Sequence, residues 1–121
     1  MTDEATIHEL PPARVKELSD AGQAQVVDVR TQEEREAGHL PGSAHIPLER
    51  LEQSAGEMDR EWPVVFYCRG GDRSAMAADA FRASGWDASS MEGGIVAWAE
   101  GGLPLEPERG EIGSPSGLPP K

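Results

Sequence analysis

One cysteine, two arginines and a serine fall within seven consecutive positions, Cys68-Arg69-Gly70-Gly71-Asp72-Arg73-Ser74. A thiol acts as a nucleophile only as the thiolate, and a thiolate needs local positive potential. The apolar run Pro63-Val64-Val65-Phe66-Tyr67 ahead of Cys68 reads as a buried strand. The segment Ser74 to Arg82 behind it reads as a helix with Ser74 near its start. A glycine-rich turn joining such elements aims backbone N–H groups inward, and the helix start adds roughly half a positive charge. The pattern points to covalent chemistry through a sulfur anion at Cys68, stabilised by N–H groups of the loop as an oxyanion hole stabilises oxygen. Gly70 and Gly71 suit close backbone approach and unusual dihedrals.

At 121 residues the chain suits one domain. Eleven basic residues against twenty-two acidic ones leave a net charge of −11, which argues against nucleic acid and anionic membranes as partners. A site for an anionic substrate must therefore create its positive potential locally, and Arg69 and Arg73 supply it. No run of about 18 apolar residues exists, so no membrane span is expected. The start, Met1-Thr2-Asp3-Glu4-Ala5-Thr6, lacks the basic and apolar regions of a secretion signal, and the expected location is cytoplasmic. A lone cysteine cannot close an intramolecular disulfide, and with only His8, His39 and His45 it cannot complete a structural zinc site. Neither metal nor cofactor is expected.

The elements that must position this loop alternate along the chain. Thr6-Ile7-His8 reads as a short extended segment. Pro11-Pro12 opens a helix through about Ala21, with Val15 and Leu18 on one face, and Gly22 ends it. Ala24 to Arg30 reads as a strand carrying Asp28 and Arg30 at its C-terminal end. Thr31-Gln32-Glu33-Glu34 is a capping box for a short helix to about Ala37. A short strand fits around Ser43 to His45 and a helix from Leu48 to Gln53. Trp86 to Met91 reads as a last strand, and Ile95 to Trp98 as an amphipathic helix ending at Gly101-Gly102. Strands alternating with helices predict an α/β domain with a largely parallel sheet. Residues 1 to 105 form this unit, and the proline-, glycine- and charge-rich stretch 106 to 121 reads as a flexible or loosely docked tail. In open sheets of this kind ligands bind beyond the carboxyl ends of the strands, where Cys68 and Asp28 with Arg30 both fall.

Four landmarks stand in order: Val27-Asp28-Val29-Arg30, then Gly38-His39-Leu40-Pro41-Gly42-Ser43-Ala44-His45-Ile46-Pro47, then Cys68 to Ser74, then Glu92-Gly93-Gly94-Ile95-Val96-Ala97-Trp98 leading to Gly102-Leu103-Pro104. Together, over roughly residues 6 to 104, they resemble a single-domain rhodanese. The resemblance implies a rhodanese-like three-layer fold, with a small, largely parallel central sheet flanked by helices. It also implies a thiosulfate sulfurtransferase, in which Cys68 takes the outer sulfur of thiosulfate as a persulfide and releases sulfite. Cyanide or a thiol then removes that sulfur.

By the same resemblance Cys68 is the catalytic residue, and Arg69, Gly70, Gly71, Asp72, Arg73 and Ser74 form the substrate-binding loop. Arg73 matches the family's loop arginine, which holds the loop and attracts the oxyanion end of thiosulfate. Arg69 either steers anions or is a solvated surface residue, and Ser74 either caps the helix or donates to the persulfide. Asp72 partly offsets the arginines and leaves the donor preference open. Asp28 and Arg30 carry a family signature and read as a supporting ion pair. His39 reads as a turn residue rather than a general base; Trp86 and Trp98 read as core, and Trp62 as partly exposed. There is no second cysteine to resolve the persulfide, so an external thiol such as thioredoxin, glutathione or a sulfur-carrier protein is the implied acceptor.

Two rivals stand beside this reading. Cys68 and Arg73 enclose four residues, one fewer than the loop of cysteine-dependent phosphatases and arsenate reductases, which disfavours the larger phosphoryl group. A non-enzymatic binding or regulatory rhodanese module is the other, and retention of Cys68 and Arg73 favours an enzyme over it.

Overall fold

The computed structural model of the chain describes residues 8–107. Five strands, β1 (Glu9–Leu10), β2 (Gln25–Asp28), β3 (Ala44–His45), β4 (Val64–Tyr67) and β5 (Ala88–Met91), form one sheet in the order β1-β5-β4-β2-β3. Every pairing between them is parallel. The helices are α1 (Pro12–Asp20), α2 (Gln32–Ala37), α3 (Leu51–Ser54), α4 (Asp72–Ala83) and α5 (Gly94–Glu100), with short 3-10 turns at Leu48–Arg50 and Ala55–Glu57 on either side of α3.

The alternation of β4 divides the core into two layers. Val64 and Phe66 face one side, where they meet Leu51 of α3 and Ala77, Ala78 and Phe81 of α4. Val65 and Tyr67 face the other, against Val15 of α1 and Ile95 and Trp98 of α5. Successive strand residues point to opposite faces, so Cys68 continues the series of Val64 and Phe66 onto the α4 side. Phe66, Phe81 and Trp86 stack edge-to-face, with centroids 5.1 and 5.2 Å apart, and fix the far end of α4 against β4.

Several boundaries differ from the sequence reading, each for a local reason. The first strand is Glu9–Leu10; His8 is a bend whose carbonyl accepts from the Ser90 N–H, and Thr6 and Ile7 lie outside the described residues. Two residues at an edge are too few to show periodicity. The expected helix from Leu48 to Gln53 is a succession of 3-10, α and 3-10 turns running on to Glu57. Helix α4 begins at Asp72, earlier than Ser74, because Gly71 (φ 111°) occupies the cap and its backbone supplies the turn. Arg73 and Ser74 therefore stand in the first turn of α4. Trp86 precedes β5 and is buried in the α4 layer, Trp98 is buried with α5, and Trp62 is exposed.

Glu106, assigned above to the tail, pairs antiparallel with His39: their backbones exchange hydrogen bonds of 2.9 and 2.8 Å. Residues 108 to 121 lie outside the described residues. No helix of the described residues is long and apolar enough to cross a membrane.

Candidate active site

Strand β4 is central, paired with β2 through Asp28 and Tyr67 and with β5 through Phe66 and Ser90. Cys68 thus leaves the sheet at its carboxyl end, flanked by the ends of both neighbours. Its side chain is 1% exposed. Sγ accepts the N–H of Gly71 at 3.1 Å and of Ser74 at 3.4 Å, and lies 3.5 Å from Ser74 Oγ. Gly71, the N-cap of α4, has no side chain with which to cap. The sulfur stands where a capping oxygen normally sits, and accepts from the first turn as that oxygen would.

The loop backbone is held from behind by α5. The N–H groups of Ile95 and Val96 donate to the carbonyls of Cys68 (2.9 Å) and Arg69 (3.1 Å). Gly94, at φ 64°, comes so close that a Cβ there would collide with the Arg69 carbonyl and stand 2.6 Å from that of Cys68. This explains the Glu92-Gly93-Gly94 landmark in steric terms. Gly70 differs from its neighbour Gly71: a Cβ at Gly70 would meet open space, and its backbone is not left-handed. Only Gly71 of the two is required by conformation.

The two arginines of the loop have different surroundings. Arg73 forms a two-pronged pair with Glu34, Nη1 to Oε1 at 3.0 Å and Nη2 to Oε2 at 3.1 Å. Glu34 also completes the capping box of α2, accepting from the Thr31 N–H at 3.0 Å while its own N–H donates to Thr31 Oγ1 at 3.2 Å. The Glu34 carboxylate is 1% exposed and Arg73 33%. Burial alone would raise the Glu34 pKa, but the Arg73 guanidinium and the Thr31 donors outweigh it and hold the carboxyl below its usual range. The hydrogen bond to Glu34 chiefly raises Arg73, with a smaller contribution from Cys68. Arg69 makes no ion pair among the described residues, and its buried Nε has no hydrogen-bond partner there. Asp72 is exposed in the first turn of α4.

Asp28 and Arg30 are brought together, but away from the sulfur. Asp28 accepts from Arg30 Nε at 2.9 Å and Nη2 at 2.8 Å and from the Tyr67 hydroxyl at 3.1 Å. Arg30 also donates to the Gly38 carbonyl at 2.7 Å. Tyr67 OH accepts the Leu40 N–H at 3.1 Å and lies 3.1 Å from Ser43 Oγ. Burial first, and the Asp28 charge second, push the Tyr67 phenol up to about 12. Since Tyr67 points to the face opposite Cys68, this buried cluster fastens the Gly38 to Ser43 segment and does not touch the thiol.

The sequence reading missed three contributors. Glu34 was legible as a capping residue, not as the partner of Arg73. Tyr67 read as part of an apolar strand, although its hydroxyl joins the buried cluster. Ser90, 2.7 Å from Ser74 Oγ, carried no signal at all.

With this geometry in view, comparison with known proteins gives a consistent result. Residues 11–101 match the rhodanese-like domain family. Thiosulfate sulfurtransferase GlpE of Pseudomonas aeruginosa is 34% identical over 94 residues, covering 77% of this chain and 84% of that protein. The HTH-type transcriptional regulator Rv0324 of Mycobacterium tuberculosis is 37% identical over 90 residues; the match takes in 72% of this chain and only 39% of the regulator. Among solved structures, a rhodanese-related protein from Thermoplasma volcanium superposes with a TM-score of 0.75 at 28% identity, over 81% of this chain and 96% of that one.

Proposed function

This chain belongs to the rhodanese-like domain family, and on that premise we propose that it is a sulfurtransferase moving a sulfane sulfur from thiosulfate to an external thiol through a persulfide on Cys68. The observation that carries this reading is the set of backbone N–H groups gathered on Cys68 Sγ. They favour a sulfur that is negatively charged, first as thiolate and then as persulfide.

In the first step the Cys68 thiolate attacks the outer sulfur of thiosulfate. A new S–S bond forms, the sulfur–sulfur bond of thiosulfate breaks, and sulfite leaves with the electron pair. In the second step an acceptor thiolate attacks the outer sulfur of the persulfide, and Cys68 departs as the thiolate. No proton or electron is left unaccounted for. Glu34 answers the charge of Arg73, so Arg73 holds the loop against α2, and Arg69 is the cation free to meet the sulfonate end of thiosulfate. The acceptor is a thiol from outside the chain, such as thioredoxin, glutathione or a sulfur-carrier protein, because Cys68 is the sole cysteine.

Incubation with thiosulfate in the absence of reductant, followed by intact mass measurement, tests the reading. The wild-type chain should gain one sulfur atom and Cys68→Ala none. The likeness to part of a transcriptional regulator motivates a second reading, a regulatory module without turnover. A wild-type chain that gains no sulfur would favour that module. Rapid, Cys68-dependent hydrolysis of an aryl phosphate would instead point to a phosphatase.

A further inference from the structure

Ser90 lies on β5 beneath the first turn of α4 and is 1% exposed; Ser74, above it, is 0% exposed. Their hydroxyls are 2.7 Å apart, and Ser74 Oγ is the side-chain hydrogen-bond partner of Ser90 among the described residues. Ser74 has one hydroxyl proton and two other acceptors within its reach, the Gly71 carbonyl at 3.2 Å and Cys68 Sγ at 3.5 Å, whereas Ser74 Oγ is the acceptor at hand for the Ser90 proton. The arrangement that uses both protons has Ser90 donating to Ser74, and it leaves the Ser74 proton on the side of the loop.

The two acceptors suit two states of the sulfur. When Cys68 is a neutral thiol, Ser74 donates to the Gly71 carbonyl and can itself accept from the thiol. When the sulfur is ionised it can only accept, and the Ser74 proton turns to it. The Gly71 carbonyl is not orphaned by that rotation, because it also accepts the Ala75 N–H at 3.0 Å. The sulfur anion then accepts from the Gly71 N–H, the Ser74 N–H and the Ser74 hydroxyl.

We propose that Ser90 is a positioning residue for the sulfur anion: by donating to Ser74 it keeps the Ser74 hydroxyl pointed at Cys68 once the thiol ionises. The chain Ser90 O–H to Ser74 O–H to sulfur is polarised along its length, so that the outer hydroxyl strengthens the inner bond. This inference concerns the sulfur of the proposed sulfurtransferase site, but it holds for any chemistry that uses the Cys68 thiolate.

The test is the rate at which Cys68, the sole cysteine, is alkylated by iodoacetamide across a range of pH. Near neutral pH, Ser90→Ala should react about threefold to tenfold more slowly than wild type, the worth of one hydrogen bond between neutral groups, since Ser90 touches the Ser74 hydroxyl and not the sulfur. The deficit should close in alkaline buffer, where the sulfur is ionised in both proteins. Ser90→Thr, which restores the hydroxyl, should recover most of the rate. Ser74→Ala should be slower still, and adding Ser90→Ala to it should change little, since the outer hydroxyl acts only through the inner one. Thermal melting of each variant accompanies the rates, because a role in packing alone would lower the melting temperature and leave the rate profile in place. A Ser90→Ala profile that superimposes on wild type, or effects of the two serines that simply add, would overturn the proposal. These outcomes are separate from failure of sulfur transfer itself, since alkylation needs no thiosulfate.

Discussion

Sulfur is a weak hydrogen-bond acceptor, yet Cys68 Sγ takes two backbone N–H groups and has a hydroxyl within reach. That concentration is what a charged sulfur needs and a neutral one does not. The same accounting separates the arginines. Arg69→Gln should raise the KM for thiosulfate about tenfold, the scale of one charge-assisted hydrogen bond, and should leave alkylation of Cys68 by uncharged iodoacetamide nearly unchanged. Steady-state kinetics with thiosulfate and the alkylation rate measure this, and equal losses in both would assign Arg69 a structural role. Cys68 and its arginines were legible because a lone thiol, two cations and two glycines in one short turn are improbable as packing. Ser90 was not, because a serine on a strand advertises only the face it occupies. Gly70 was over-read: two adjacent glycines look alike in sequence, and only the sign of φ distinguishes Gly71.

Between elements, the pair of Glu34 and Arg73 joins α2 to α4 across the mouth of the loop. Glu34→Gln should lower stability by about 1–2 kcal/mol, less than for a fully buried pair because Arg73 is partly solvated. It should also reduce sulfur loading, as the first turn of α4 loses its tether. The pH dependence follows from the depressed pKa of Glu34. Its contribution to stability is present above the unfolded carboxyl value of 4.5 and is lost as pH falls through the lower folded value. Acid titration of wild type and Glu34→Gln, followed by circular dichroism, should therefore show the difference between them shrinking below about pH 4.5. The cluster under Tyr67 is more demanding. Asp28→Asn removes the carboxylate charge to which the 0% exposed Arg30 donates through Nε and Nη2 and should cost about 3 kcal/mol in denaturant melts. The capping box and the alternation of strands and helices were plain in the sequence because they depend on neighbours. The partner of Glu34 stands 39 positions away, and local pattern carries no such information. The start of α4 was misplaced for a related reason: a glycine N-cap offers no side chain to recognise.

At the scale of the whole chain, a net charge of −11 accompanies the proposed sulfur-anion site at Cys68. Long-range repulsion therefore works against anionic acceptors and for cationic ones. Cysteamine should discharge the proposed Cys68 persulfide faster than 3-mercaptopropionate by more than their thiolate reactivities explain, and added salt should narrow the gap as the field is screened. Stopped-flow rates at two ionic strengths give the comparison; a gap indifferent to salt would remove the long-range field from the account. The parallel sheet was foreseeable from the alternation of strands and helices, and its flanking layers from the family resemblance. The pairing of Glu106 with His39 was not, since a composition change marks where burial fades and not where the backbone stops pairing.

Cys68 Sγ, the proposed nucleophile, also closes the first turn of α4, so on this reading chemistry and folding share an atom. Each addition to the sulfur, whether a second sulfur, an alkyl group or oxygen, alters what the amides of Gly71 and Ser74 are bonded to. Those amide protons are thus built-in gauges of cargo. Their NMR shifts and exchange rates should move when the protein is loaded and return when it is emptied, which makes sulfur traffic readable from the backbone without a label or a chromogenic substrate.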